Sequence, residues 1–349
     1  MIYAVHMQYR WIMNDTKHME ISELIEERIR QGVYAGKLPP VRKLSDDLSI
    51  STRTLNKALK PLVARGLLIP DGPRGIIIQS GTVPRKKTGI VGVFSSGRSV
   101  FSKDNVLINS LKNLMERDNF RILLMCMLDD ELYADPKFWS SNWLDGYIFI
   151  YSSFNKKLAS EMRKNNIPFV AANRIPPEYG INCVDFDHAG ALRKGVDYLY
   201  RRGCRNIAID FSFATMKEYR DYIGKEALKI LKEYGVSSKA NLLIDDRHTP
   251  DYPERHAEYF LGLKKVPDGI LLNMPIAARV ERILNSAGHY PVIIETDPKE
   301  PAPYPCFRKS YEKLAESVWA RFLKVYNEPA AETASETVEI KFTTYGADK

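Results

Sequence analysis

The 349-residue sequence is poor in cysteine: it has four, Cys126, Cys183, Cys204 and Cys306, and no two share a short spacing. That excludes a zinc knuckle or a small disulfide framework and predicts buried free thiols in a reducing cytoplasm. The six histidines show no metal-ligand spacing, so neither a metal nor a cofactor is expected. No apolar run approaches the ~18 residues of a membrane helix, which argues against a membrane role. The opening MIYAVHMQYRWIMND is interrupted by His6, Gln8, Tyr9 and Arg10 and has no small-residue cleavage site, so residues 1–16 read as a leader and not an export signal. Enzyme signatures are missing as well. GIVGVFSSG lacks the G-x-G-x-x-G spacing of nicotinamide binding, and neither G-x-S-x-G nor H-E-x-x-H occurs.

Acidic residues are scarce in one region only. Met1 to Thr88 hold 15 Lys and Arg against 8 Asp and Glu, whereas the remaining 261 residues hold 36 against 35. The net charge of +8 therefore belongs almost entirely to the first quarter. A basic module joined to a nearly neutral body is the electrostatic footprint of a polyanion binder.

Within that basic quarter, Ile21, Leu24, Ile25 and Ile29 recur at helical spacing between Lys17 and Gln31, with Asp15 and Thr16 to cap and Gly32 to stop. VRKLSDDL forms a second amphipathic segment through Val41, Leu44 and Leu48. After the corner SIST, TRTLNKALKPLVARG forms a third, with Leu55, Leu59 and Leu62 inward and Gly66 at its end. Ser51 is placed to cap it by accepting from the N–H of Arg53 or Thr54, and Ile50 to pin the corner. LLIP and GIIIQ flank Asp71-Gly72-Pro73-Arg74 as a hairpin. Three helices and a hairpin make a winged helix over residues 17–79.

Such a helix-turn-helix sets the start of its second helix in the major groove. The candidate reading surface is Thr52, Arg53, Asn56 and Lys57, with Lys60 one turn on and Ser51 and Thr54 at the corner. Arg suits guanine and Asn suits adenine. Arg42 and Lys43 are expected beside the phosphate backbone, and Arg74 at the hairpin tip can enter the minor groove. The partner implied is a double-stranded DNA operator, read by a homodimer.

GKLPPVRKLSDDLSISTRTLNKALKPLVARGLLIPDGPRGIII resembles the GntR-type winged helix. Leu38, Pro39, Arg42, Leu44, Ser51, Thr54, Ala58, Leu59, Leu62, Gly66, Leu67, Leu68 and Gly75 fall on its pattern without gaps. Pro40, Thr52, Asn56 and Pro73 depart from it. Pro61 lies inside the third helix, where it removes one backbone donor and should kink the helix. The family's base preference is therefore not carried over.

QSGTVPRKKT reads as a linker around 80–88. Beyond it the pattern changes to βα units. Expected strands are GIVGVF, RILLMCM, GYIFIY, PFVAA, NIAIDF, LLIDD, GILLN and PVIIE, separated by helices such as VLINSLKNLMER and GKEALKILKEYG. Apolar strands covered on both faces imply parallel sheets, and two sheets suit this length better than one. The fold class is α/β, a winged helix followed by a two-lobed body.

Residues 89–345 resemble the effector domain of the LacI/GalR family, which has the periplasmic sugar-binding fold. The resemblance rests on Asn173-Arg174, VDFDHAG (184–190), LYRRGCRNIAI (199–209), PDGILLN (267–273) and Cys306-Phe307-Arg308. A GntR-type head on such a body is the arabinose-repressor-like arrangement. It implies lobes over about 89–173 with 305–327 and about 174–304 with 328–345. It also implies a small sugar-like effector, with Phe101, Arg174, Tyr219, Arg220, Asn273 and Asp297 as candidate contacts. Two family sugar-gripping positions differ: Arg220 is one place off register before Gly224, and Met274 replaces an Asp. Asp185 and Asp187 read as turn or capping residues. The alternative body for this head, a pyridoxal-phosphate-binding aminotransferase-like domain, needs more than 261 residues and a recognisable cofactor lysine, so no enzyme is expected.

Overall fold

The computed structural model describes residues 17–29, 33–34, 36–79, 87–95, 101–126, 144–150, 156–172, 179–210, 217–236, 242–243, 250–298, 303–328 and 332–344. The leader 1–16, the Gly32 stop, residues 80–86 of the linker, and Asn173-Arg174 lie outside them, as do the side chains of Cys126, Tyr219 and Arg220. The chain divides into two compact units, residues 1–92 with 129–147 and 156–168, and residues 93–128 with 148–155 and 169–349.

The first unit opens on helix α1, residues 17–29. Ile21, Ile25 and Ile29 face inward, and Leu24 is 42% exposed. Leu24 lies one residue, about 100°, from the stripe that Ile21, Ile25 and Ile29 repeat every four residues. Helix α2 runs Val41–Asp47 and helix α3 Thr52–Ala64. Leu55, Ala58, Leu59 and Leu62 are buried in α3 and close a core with Ile21, Ile25, Leu44 and Leu67. Each fully buried leucine contributes about 1.5–3 kcal/mol. The helix contains Pro61 and continues past it to Ala64. Gly66, at a φ of 73°, then reverses the chain, and the Leu67 N–H donates to Leu62 O.

Strands β1 (Leu68–Pro70) and β2 (Ile76–Ile78) pair antiparallel as the wing, with Ile69 opposite Ile77. A 3₁₀ turn at Gly72–Arg74 forms the tip, and the Asp71 N–H donates to Gly75 O. Lys37 bridges to Ile77 on the far side of β2, and the Leu38 N–H donates to Ile76 O. The GKL segment thus supplies a third extended piece that its composition does not announce.

The next elements are β3 (Ile90–Ser95), α4 (Val106–Arg117), β4 (Arg121–Cys126), β5 (Gly146–Ile150), α5 (Lys156–Lys164), β6 (Phe169–Ala172) and β7 (Cys183–Phe186). They are followed by α6 (His188–Arg201), β8 (Ile207–Asp210), α7 (Lys217–Glu233), β9 (Leu242–Leu243), α8 (Tyr252–Leu261) and β10 (Gly269–Leu271). The last are α9 (Ala277–Ser286), β11 (Val292–Thr296), β12 (Cys306–Arg308), α10 (Tyr311–Asn327), β13 (Ser335–Val338) and β14 (Lys341–Thr343).

Two six-stranded sheets result, ordered β13-β7-β6-β5-β3-β4 and β14-β12-β11-β10-β8-β9. In the second, β8 to β12 pair in parallel and only β14 joins antiparallel. Their wholly buried runs, such as IAID in β8, match the expected continuous apolar strands. Helix α10 packs on α4, β6 and β7 of the first sheet, where the Trp319 Nε1–H donates to Asp118 Oδ2 at 2.7 Å. Helix α6 lies on the second sheet, and α8 and α9 share a core with Ile270 and Ile293.

Sheet membership differs from the lobe ranges expected at their edges. Residues 183–186 and 335–338 pair within the first sheet, and 306–308 within the second. Strands of three or four residues carry too little periodicity to reveal their partners. Cys183, Cys204 and Cys306 are buried free thiols.

Candidate functional site

At the corner of the head, Ser51 Oγ accepts the Thr54 N–H at 3.1 Å and lies 2.8 Å from Thr54 Oγ1. Both hydroxyls are engaged in starting α3. From that start Thr52, Arg53, Asn56, Lys57 and Lys60 are all exposed, opposite buried Leu55, Ala58, Leu59 and Leu62. Arg42 and Lys43 are exposed on the first turn of α2. Arg74, with a side chain 83% exposed, stands at the wing tip, 3.6 Å from Asp71. The head carries exposed cations on α2, on α3 and at the wing tip. Arg65, at the end of α3, instead bonds buried Glu26 of α1 and ties helix to helix.

The body has a second polar locus. Parallel strands leave their carboxyl ends along one rim, the usual ligand edge of an open α/β sheet. In the second sheet Asp210 ends β8, Asn273 follows β10, Asp297 follows β11 and Lys309 follows β12. Of the six expected effector contacts, Asn273 and Asp297 come together on this rim. Phe101 is 56% exposed in the turn ahead of α4, in the first sheet's layer. Arg174 and the side chains of Tyr219 and Arg220 lie outside the described residues.

Asp297 adopts a left-handed φ of 50°. Its carboxylate accepts the Lys309 N–H at 2.8 Å and the Tyr311 hydroxyl at 3.4 Å, with Lys309 Nζ 3.9 Å away. Burial pushes the Lys309 ammonium below its ordinary range, opposed by Asp297 and Asp185. Burial, then Asp297, holds the Tyr311 phenol well above its usual value. His188, 3.8 Å from Asp185, is pushed down to about 3 by burial, with the Lys309 charge adding. Phe186 lies 5.9 Å from Lys309 Nζ and 5.4 Å from the Tyr311 ring.

This cluster sits where the chain passes from one sheet's layer to the other, between β7 and α6 and between β12 and α10. The Asp187 N–H donates to Val338 O at 2.8 Å and joins the first crossing to a third, between β13 and β14. Asp187 also caps α6, accepting from Gly190 at 2.9 Å. Lys309, Tyr311 and His188 were not singled out in the sequence. The signal available was their position, one to three residues beyond strands β12 and β7. Among the described residues no group of three or more His, Cys, Asp or Glu is placed to hold a metal, and no helix is long and apolar enough to cross a membrane.

Residues 17–78 match the family model described as "Bacterial regulatory proteins, gntR family". That segment is a GntR-type helix-turn-helix, and the body has the fold of LacI-type regulators. Among curated proteins the chain is similar to the "Probable HTH-type transcriptional regulator EndR" of Paenibacillus polymyxa. The two are 27% identical over 172 residues, 45% of this chain and 50% of the relative. The chain thus spans about half the length of the curated relative it matches.

Among solved structures it is similar to a transcriptional regulator CelR–cellobiose complex, with a TM-score of 0.63, 14% identity, and coverage of 88% of this chain and 99% of that one. The lac repressor dimer bound to operator and the anti-inducer ONPF gives 0.62 at 14% identity, covering 74% and 93%. A regulatory protein of the LacI family from Chloroflexus aggregans gives 0.60 at 19%, covering 73% and 96%. At these identities the likeness is one of fold.

Proposed function

We propose that this chain is a sequence-specific DNA-binding transcriptional regulator, a cytoplasmic repressor acting as a homodimer, whose hold on its operator is set by a small sugar-like effector. The observation that carries the reading is the exposed face Thr52, Arg53, Asn56, Lys57 and Lys60 on a capped helix of a GntR-type head. In the proposal Arg53 and Asn56 read base edges, Lys57, Lys60, Arg42 and Lys43 hold phosphates, and Arg74 enters the minor groove. The head is residues 17–79, the linker 80–88 and the effector body 89–345. Phe101, Arg174, Tyr219, Arg220, Asn273 and Asp297 contact the effector. The reading is supported by the rim that carries Asn273 and Asp297, and by fold neighbours solved with cellobiose and with ribose. No catalytic step is assigned.

The test is fluorescence anisotropy of the full chain on duplexes tiled across the DNA upstream of its own gene. One duplex should bind against excess competitor DNA, weakening by about three orders of magnitude between about 50 and 200 mM salt. Cellobiose, ribose and a panel of sugars and sugar acids are then titrated into the complex. Equal binding to all duplexes would sink the regulator reading. Specific binding that no sugar alters would sink the effector reading alone.

A further inference from the structure

At the end of the second sheet opposite the rim, the loops that lead into β8 and β10 are bonded to each other. The Asp268 carboxylate accepts the backbone N–H of Arg205 at 2.9 Å and of Asn206 at 2.8 Å. In return the Asn206 amide donates to the carbonyl oxygens of Lys265 at 2.8 Å and Val266 at 3.0 Å. The segment carrying Arg205 is thereby set beside the one carrying Lys264 and Lys265. A third segment joins them: the Val292 N–H donates to Asp268 O at 2.9 Å, and Tyr290, 78% exposed, stands two residues earlier.

The Arg205 guanidinium is held in place on this surface. Its Nη1 donates to Tyr200 O and Cys204 O, each at 2.9 Å, and its central carbon lies 3.9 Å from the centroid of the Tyr200 ring. Both hydrogens of Nη1 are spent there, while the edge formed by Nε and Nη2 keeps the parallel pair of N–H groups that matches a carboxylate. Among the described residues no side chain meets that edge, and Asp268 faces the Arg205 backbone instead. Arg193, Arg255, Arg279 and Arg321, by contrast, each reach an Asp or Glu. Arg205 has given up its rotamer freedom as those have, with its fork still open to a ligand.

The surrounding charge is one-sided. Residues 197–206 and 264–268 hold five cations, Arg201, Arg202, Arg205, Lys264 and Lys265, all exposed, against two acids, in a body that is otherwise nearly balanced. Both acids are committed, Asp268 to the loop backbone and Asp197 to Arg201 at 2.9 Å and the Tyr234 hydroxyl at 3.3 Å. We propose that this pole is a docking surface for an acidic segment of a partner protein. One carboxylate of that segment seats on the Nε and Nη2 edge of Arg205, and its neighbours meet Lys264 and Lys265. Duplex DNA carries its charge along a line and is met by a row of cations. Here the cations come from two short segments around one fixed fork, beside Tyr200 and Tyr290, and arginine with tyrosine is the composition that protein interfaces favour. The surface is separate from the DNA-reading face and from the rim, and the proposal rests on neither.

The probe is octaglutamate, added to the full chain with a carbodiimide that couples bound carboxylates to adjacent amines, and the coupled lysines are mapped by peptide mass spectrometry. In the body, coupling should concentrate on Lys264 and Lys265. Arg205→Lys keeps the charge and lacks the fork, so it should lower the yield at both lysines by about tenfold, as should Arg205→Gln, with the yield at the head's lysines unchanged. Lys264→Glu alters one exposed side chain and should lower the yield at Lys265 by a similar factor, which keeps the test intact if the Arg205 variants fold poorly. An unchanged yield in Arg205→Lys, or at Lys265 in Lys264→Glu, overturns the proposal. So does a duplex of scrambled sequence that blocks coupling at Lys264 and Lys265 at a lower concentration of charge than octaglutamine-diluted octaglutamate needs to saturate it, since the surface would then belong to nucleic acid.

Discussion

Replacing Ser51 by Ala removes the acceptor for the Thr54 N–H and the partner of the Thr54 hydroxyl in one step. The head should lose about 1 kcal/mol, read as a lower unfolding midpoint by calorimetry, while Ser51→Asp retains most of it. Arg53→Ala and Asn56→Ala should each cost about 1–3 kcal/mol on the specific duplex and little on competitor DNA, by anisotropy. In the body, His188 has its ordinary value of 6.5 depressed to about 3. Between those values the unfolded chain takes up a proton that the folded chain refuses. The stability His188 contributes is therefore complete above about pH 6.5 and lost as pH falls toward 3. His188→Asn should flatten that acid limb in urea midpoints measured across the range. The Ser51 cap was legible in the sequence because donor and acceptor lie three residues apart. The tie between Arg65 and Glu26 was not, because folding alone brings residues so distant in sequence together.

Elements with a full amphipathic period were readable close to their ends. Helix α4 occupies Val106–Arg117, the segment VLINSLKNLMER that its leucine spacing marks, and α3 starts where Ser51 dictates. Strands β7, β12, β13 and β14 escaped because each has three or four residues and is defined by a distant partner. Proline alone did not break α3, since the Pro61 carbonyl still accepts from the Arg65 N–H and the helix continues past it.

The seat of α6 on the second sheet turns on Gly195. A β-carbon there would stand 2.5 Å from Leu271 Cδ2 and 3.1 Å from Phe307 Cζ. Both neighbours are buried, so Gly195→Val should overpack this layer and cost about 1–3 kcal/mol, seen in thermal unfolding of the full chain.

At the scale of the molecule, the partition of charge read from the sequence coincides with a partition of cores. Among the described residues, the head's apolar cluster draws on residues 21 to 78. A fragment ending at Thr88 should therefore fold and bind duplex DNA, with an affinity that falls steeply as salt rises and no response to sugars. A salt-insensitive fragment would contradict the assignment of the basic quarter to phosphate contact. What composition could not reveal is the shared bookending of the body. Strand β13 is the outermost strand of one sheet and β14 the outermost strand of the other, with only Glu339 and Ile340 between them. A premature stop ahead of Ser335 would therefore strip β7 and β12 of their neighbours together. The expected product is not a slightly shorter regulator but a chain with two raw edges ready to pair with other chains, recovered as aggregate.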